Sequence, residues 1–291
     1  MVAFSIASLM HEPPEIVDRF VDYYRRAGAQ EILIYVDGPA PPEPPKPPAV
    51  VVACDAGFWQ SRGGRPEGLE NRQTAVFGAA AERCRTPWLL IVDSDEFVFG
   101  NRTISDFLDR IPEAVDSVRV PPAEAVWGPG DPLGEPFAAT HFRTAWPTSA
   151  VSRALRRLIF GRVSAQMRQG MTGHTRGKAF LRTGRGIDTI QNHGARRGGQ
   201  RVTVDLARVD PHLRGMYVGH FDATGLEHWQ RKWRMRIEGA TLAVAMSPAR
   251  RAQMRRIERS VLEGGDAPRA LFARFHGVTR LQYLALASGG L

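Results

Sequence analysis

The run Trp88-Leu89-Leu90-Ile91-Val92 stops abruptly at Asp93-Ser94-Asp95-Glu96, with Phe97 behind it. Leu89 to Val92 is short, aliphatic and partly β-branched, and Pro87 precedes the run. Such a stretch predicts a buried strand of a parallel-type sheet. In open α/β sheets ligands gather just beyond the carboxyl ends of strands. Asp93, Asp95 and Glu96 therefore stand where such a fold puts its chemistry. Clustered carboxylates repel one another and are costly to bury unpaired. A divalent cation removes the difficulty, because carboxylate oxygens suit Mg²⁺ and Mn²⁺. The plain alternative is a solvated acidic turn after an ordinary strand.

The chain before this run has the pattern of an α/β body. Val2 to Leu9 reads as a first strand and His11-Glu12-Pro13-Pro14 as a turn. Glu15 to Ala27 carries Ile16, Val17, Phe20, Val21 and Tyr24 at helical spacing, with Gly28 as its stop. Glu31 to Val36 is a second strand that ends at Asp37-Gly38, which completes a βαβ unit with a parallel pair as the default. The proline-rich stretch Gly38 to Pro48 predicts a semi-rigid loop. Val50 to Ala53 is a third strand, Asp55 to Gly68 a Gly-rich loop, and Leu69 to Arg83 a helix with Asn71-Arg72-Gln73 in its first turns.

Downstream, Ile104 to Ile111 reads as a helix, Val115 to Val120 as a strand, and Pro121 to Pro136 as a loop. Gly177 to Arg182, Gly186 to His193 and Arg214 to Phe221 read as further strands. From Thr224 on the pattern is helical: Leu226 to Met246, a second helix opened by Ser247-Pro248, and a third from Asp266 to Pro268 onward. The fold class expected is α/β, with a Rossmann-type, mostly parallel central sheet flanked by helices and a helical C-terminal appendage. The domain reading is a catalytic body over residues 1–222 and a helical extension over 223–291.

Composition limits the alternatives. At 291 residues with 43% hydrophobic and 24% charged residues, the chain has the make-up of a globular protein with a substantial core. No apolar run approaches a membrane span. Met1 to Met10 lacks a basic n-region and a cleavage site, so it reads as a strand and not a signal peptide. Cys54 and Cys84 lack metal-ligand spacing and read as reduced residues of a cytoplasmic protein. The net charge is +9, and from Arg153 to Arg201 there are eleven arginines and Lys178 against one acid, Asp188. Such a block suits nucleic acid, an anionic membrane surface or a phosphorylated substrate; the bland reading is a solvated face.

These residues together resemble the GT-A glycosyltransferases, in their family 2-like and family 92-like branch. The resemblance is carried by His11-Glu12, Asp37, Asn71-Arg72-Gln73, and above all Trp88 followed by Asp93-Ser94-Asp95-Glu96-Phe97. Looser matches are Trp127-Gly128, Gly177-Lys178, His193, and Gly219-His220-Phe221 with Lys232 and Arg236. It spans about residues 2 to 240. The resemblance implies a GT-A-like fold and sugar transfer from a nucleoside-diphosphate sugar, UDP foremost, with Mn²⁺ or Mg²⁺. It implies donor contacts at His11, Glu12, Asp37, Arg72, Asp93 and Lys178, and metal ligands at Asp95, Asp93 and His193, with His220 second to His193.

The chemistry agrees: a departing diphosphate needs a cation and basic groups, and Arg176, Lys178 or Arg182 suit phosphate. Glu96 is read as tying down the acidic loop. Transfer with inversion also needs a base. The family's usual Glu-Asp pair is not present between Phe97 and His193, so Asp131, with Glu124 beside it, is the base read from the expected loop. Trp127 and His220 are read as acceptor contacts, since aromatic faces suit sugars. The acceptor expected is a glycan or a lipid-linked molecule in surface polysaccharide synthesis. A cytoplasmic location, peripheral to the inner membrane face, fits the basic block.

Two rivals are weighed. A nucleotidyltransferase would carry a Gly- and Arg/Lys-rich loop after strand one, where His11-Glu12-Pro13-Pro14 stands instead. A nucleic-acid-binding protein would use the basic block, but no such module is recognisable there and aromatic interleaving is sparse. The loop Gly57 to Gly68 lacks P-loop spacing, and no G-x-G-x-x-G follows strand one. His174 has no assigned role, and Trp229 and Trp233 read as core.

Overall fold

The computed structural model describes residues 2–38, 45–238 and 248–288. The chain opens with β1 (Phe4–Met10), α1 (Pro14–Arg26), β2 (Glu31–Val36), β3 (Ala49–Ala53), α2 (Ala56–Gln60) and α3 (Leu69–Arg83). There follow β4 (Trp88–Ile91), β5 (Glu96–Gly100), α4 (Ile104–Asp109) and β6 (Ser117–Val120). Next come β7 (Pro122–Val126), β8 (His141–Thr144), α5 (Ala150–Phe160) and a 3₁₀ turn over Gly161–Gln166. The chain continues with β9 (Lys178–Arg182), β10 (Thr189–Gln191), β11 (Gly194–Arg197), β12 (Gln200–Arg201), β13 (Thr203–Asp205), α6 (Leu206–Val209) and β14 (Met216–His220). It ends in α7 (Leu226–Glu238), α8 (Pro248–Glu263), α9 (Ala267–His276) and α10 (Arg280–Ser288). This is a mixed α/β protein with a large parallel-rich sheet and a helical C-terminal region, as the sequence pattern predicts. The expected loop over Gly38 to Pro48 and the expected helix to Met246 fall partly outside the described residues.

Two compact units form, one of Met1–Pro121 with Arg176–Val218, the other of Pro122–Thr175 with Gly219–Leu291. The chain thus crosses between them at 121/122, 175/176 and 218/219.

The first unit is built on a seven-stranded sheet of order β13-β6-β9-β4-β1-β2-β3. β1 pairs in parallel with both β2 and β4, and β2 in parallel with β3. Aliphatic side chains on both pleats explain why β1, β2 and β4 lie at the centre: alternate residues such as Leu33 and Tyr35, Leu89 and Ile91, and Ala179 and Leu181 meet Val76, Phe77 and Ala80 of α3. β9 is the exception to the parallel pattern. It runs antiparallel to β4, with Leu89 opposite Leu181 and Leu90 opposite Phe180. That register brings the first residue of β9, Lys178, to the carboxyl end of β4.

In the second unit β7 and β8 form an antiparallel pair, Glu124 opposite Arg143 and Val126 opposite His141. Among its helices, Phe272 of α9 packs against Trp229 of α7, ring centroids 5.7 Å apart, and against Trp127, 5.0 Å away.

Two local readings need correcting, and two segments gain elements that the sequence reading leaves unassigned. Pro121 to Pro136 is not all loop, because Pro122–Val126 is the fully buried strand β7; its charge at Glu124 is met across the strand pair by Arg143. The Gly-rich loop begins with a helical turn, α2, capped by Asp55 Oδ1, which accepts from the Phe58 amide at 2.8 Å. The acidic segment leads straight into a strand, β5. The start of the basic block is a helix, α5, which Ser149 caps by accepting from the Ser152 amide at 3.0 Å.

Candidate active site

The acidic segment turns tightly beyond β4: the Glu96 amide donates to the Asp93 carbonyl at 3.1 Å. Glu96 then folds back, and its Oε2 accepts from the Asp93 amide at 2.8 Å. This is the tie expected of Glu96. The Lys178 ammonium is wholly buried, 2.7 Å from Asp93 Oδ2 and 3.2 Å from Glu96 Oε2. Burial pushes the Lys178 pKa down, but attraction to Asp93 and Glu96 outweighs it and leaves the pKa above the usual lysine value. The segment is anchored on its other side by Ser94, whose hydroxyl donates to Glu12 Oε1 at 3.0 Å. Asp95 is half-buried in the same turn.

His193 lies near this turn. Its Nδ1 is 3.0 Å from the Gly177 carbonyl, and desolvation lowers its pKa to about 4, so the ring is neutral at pH 7. Gly177 is obligatory there, because a Cβ would run into the Val120 carbonyl.

Two strands along the same carboxyl edge, Asp37 ends β2. Its carboxylate accepts from Arg65 Nη2 at 2.7 Å and Nε at 3.0 Å, and from Trp59 Nε1 at 3.2 Å; Arg72 Nε lies 3.3 Å away. The Arg65 hydrogen bond, against some burial, holds the Asp37 pKa below the usual range. Asp37, Trp59 and Arg65 line a cleft of 780 Å³ with Gly38, Cys54 and Gly63. His11 packs its ring against Gly38, so closely that a Cβ there would lie 2.9 Å from it. Adjacent strands are about 4.8 Å apart, so β4 and β2, separated by β1, place Asp93 and Asp37 on the order of 10 Å apart. Both ends of this edge thus offer charge and hydrogen-bond donors at the length scale of a nucleoside.

The sequence-derived donor residues His11, Glu12, Asp37, Arg72, Asp93 and Lys178 all lie in this first unit, in two neighbourhoods. Trp59 and Arg65 complete the Asp37 neighbourhood and were passed over in sequence as loop residues. An arginine and a tryptophan in a glycine-rich loop after a strand-end acid are a signal that could have flagged them.

The remaining candidates lie in the second unit. Glu124 is completely buried and takes donors from every side: Arg143 Nε at 2.7 Å, the Thr172 amide at 3.0 Å and hydroxyl at 2.6 Å, and the Gly173 amide at 2.6 Å. Burial pushes its pKa up, yet the Arg143 guanidinium outweighs this and the net shift is downward. Asp131 accepts from the Gly128 amide at 2.8 Å, the Thr140 amide at 3.0 Å and the Thr140 hydroxyl at 2.8 Å. Against desolvation, these bonds lower its pKa too. Trp127 is buried and hydrogen-bonded through its backbone to His276 and Val278. His220 is buried with its ring stacked on His174, centroids 5.2 Å apart. Nearby, desolvation pushes the pKa of the half-buried Asp222 up, but Lys232 and His220 pull it far below the usual range. Arg143 and Thr172 were missed in sequence because β7, their reason for being here, reads as a loop.

No family model and no curated protein matches the chain. Among solved structures it is similar to a mycobacterial protein, at 13% identity over 70% of this chain and 66% of that one, TM-score 0.34. It is similar to S. aureus TarS 1-349 in complex with UDP-GlcNAc, at 13% identity over 89% of this chain and 72% of that one, TM-score 0.36. It is also similar to GalNAc-T7 with UDP, GalNAc and Mn²⁺, at 11% identity over 99% and 57%, TM-score 0.39. The chain spans less than two thirds of the mycobacterial protein and of GalNAc-T7.

Proposed function

We propose that this protein is a GT-A-type glycosyltransferase that moves a sugar from a nucleoside-diphosphate sugar, UDP foremost, to a hydroxyl of a glycan or lipid-linked acceptor. One observation carries the reading: Asp93, Asp95 and Glu96 stand at the carboxyl end of a central parallel strand, organised by a buried lysine. In an α/β sheet this edge is where nucleotides bind.

In this reading Asp37 with Trp59, Arg65 and Arg72 receives the nucleoside. Asp93 faces the ribose and diphosphate, and Lys178 fixes the Asp93 carboxylate in place. The carboxylate oxygens of Asp93 and Asp95 suit a hard divalent cation, and His193 is proposed as a further ligand, its ring neutral through its lowered pKa and so able to donate a lone pair. A bound Mn²⁺ or Mg²⁺ would neutralise negative charge that develops on the leaving diphosphate. Glu124 and Asp131, read in sequence as candidate bases, are held anionic by many donors, a pattern that suits positioning of their loops better than proton transfer near neutral pH. Trp127 and His220 are proposed as acceptor contacts. Among the described residues no helix is long and apolar enough to cross a membrane.

The test is equilibrium binding of UDP-, GDP- and dTDP-sugars to the purified protein, with Mn²⁺ and with chelator. The expected result is Mn²⁺-dependent binding of at least one donor, weakened about tenfold or more by Asp95→Ala. Absence of metal-dependent binding to all three would overturn the proposal.

A further inference from the structure

α5 has the sequence Ala-Val-Ser-Arg-Ala-Leu-Arg-Arg-Leu-Ile-Phe. At about 100° per residue, Val151, Leu155 and Leu158 fall on one stripe. On a helix of a globular protein such a stripe normally faces the core. Here it faces outward: Val151 is 69% exposed, Leu155 44% and Leu158 81%, while Ser152 and Phe160 are the buried positions. α10 repeats the pattern, with Leu281 81% and Leu284 59% exposed. The two helices adjoin, since Gln282 Nε2 donates to the Ile159 carbonyl at 2.8 Å. Five large aliphatic side chains on neighbouring helices are thus open to water, an arrangement that marks an interaction surface.

The charge around this surface is of one sign. No acid occurs from Val151 to Arg168, against Arg153, Arg156, Arg157, Arg162 and Arg168, and Arg280 opens α10. Beside the helix pair lies a cleft of 650 Å³, floored by Trp127, Phe160 and Val278 and lined by Arg162, Arg256 and Arg274. Among the described residues no carboxylate forms an ion pair with those three arginines. A protein partner would account for the leucines but not for a cleft of unneutralised arginines. A soluble polyanion would account for the arginines but not for exposed leucines in a stripe. An anionic lipid bilayer accounts for both.

We propose that this face docks on an anionic bilayer, with Leu155, Leu158 and Leu281 entering the boundary between headgroups and acyl chains and the arginine cleft taking a phospholipid phosphate. The proposal goes beyond the donor chemistry and does not rest on it, because docking is read with no sugar nucleotide present.

The experiment is co-sedimentation of the full chain with vesicles of phosphatidylcholine alone and of phosphatidylcholine with about one third phosphatidylglycerol. Binding to the anionic vesicles is expected, falling with salt, and little binding to the neutral ones. Leu155→Ser with Leu158→Ser should weaken it about 30-fold, the loss of two partly inserted side chains. Arg162→Ala with Arg256→Ala should weaken it about tenfold. Both pairs of positions are at the surface, and unchanged thermal unfolding would show that the variants fold; Leu281→Ser, on the other helix, provides a second reading. Equal binding to both vesicle types, no binding to the anionic ones, or unchanged binding by the leucine variant would overturn the proposal. So would a self-association in ultracentrifugation that the leucine variant abolishes, since it would assign the face to a second copy of the chain.

Discussion

Replacing Lys178 by Met tests whether the acidic turn is organised as described. The ammonium is wholly buried and lies within 3.2 Å of two carboxylates. Methionine matches its length but removes this cation from both carboxylates. Breaking a buried pair from one side costs about 3–5 kcal/mol. The two partners contribute unequally: the Asp93 side chain is 35% exposed and can rehydrate, whereas Glu96 is 1% exposed and cannot. The expected loss is therefore near the lower end, about 3 kcal/mol. With a urea slope of roughly 2–3 kcal/mol/M, the midpoint followed by circular dichroism should fall by about 1 M or more. The sign of the pH dependence is set by the raised Lys178 pKa. Its contribution is complete below the ordinary lysine value of about 10.4 and is lost only as pH climbs through the higher folded value. The difference between wild type and variant should thus stay flat from about pH 6 to about pH 9. Adding Glu96→Gln should recover part of the loss, because it removes the stranded charge. A loss below about 1 kcal/mol, or no recovery in the double variant, would refute the reasoning.

Other outcomes follow from the same contacts. Arg143→Met strands the fully buried Glu124 carboxylate and should destabilise the second unit by about 3–5 kcal/mol in urea unfolding, with partial rescue by Glu124→Gln. Asp37→Asn should weaken donor binding about tenfold in equilibrium titrations, through loss of the anion that holds Arg65 and Arg72. Because the Asp37 pKa is lowered, its ion pairs persist above the ordinary aspartate value of about 3.9 and are lost only as pH falls through the lower folded value, so wild-type donor binding should not fail through Asp37 at pH 5. His276 has its pKa lowered to about 4 by burial, so between about pH 6.5 and about pH 4 the unfolded chain takes a proton that the folded chain refuses. Stability should fall over that window by about 3 kcal/mol from this residue, and His276→Phe should flatten the decline in acid-unfolding curves.

What could be read from sequence was local. β4 and its acids are legible because an aliphatic run, a proline before it and three carboxylates after it occupy ten residues. The β1-α1-β2 unit is legible from a helical stripe between two strand runs. Lys178 reads in sequence as a phosphate contact; its hold on Asp93 and Glu96 depends on β9 running antiparallel to β4, a pairing across some ninety residues that no local pattern records. β7 was illegible for a related reason. Pro121, Pro122 and a central Glu124 look like a loop until Arg143, directly opposite on β8, supplies the charge that lets the strand be buried. α5 did leave a signal, the Ser149 cap before a helical stripe, but its arginines drew the reading toward a charged block, and its outward-facing leucines invert the usual rule.

The charge along the carboxyl edge gives the proposed metal dependence a basis apart from resemblance. At the end of β4, Asp93 and Glu96 are ion-paired with Lys178, and Asp95 lies in the same turn. At the end of β2, Asp37 is set against Arg65 and Arg72, which leaves one positive. A diphosphate brought to the β4 end would meet like charge, and two unit charges about 4 Å apart at a protein surface repel by roughly 4 kcal/mol. The β2 end alone would attract it. A divalent cation at Asp93 and Asp95, as proposed, would offset that repulsion. Chelator-insensitive binding of a nucleotide would then point to phosphates lodged at Arg65 and Arg72, with the donor reversed along the edge. Binding lost on chelation, and more completely at low salt where the uncancelled repulsion is least screened, would place the diphosphate beyond β4.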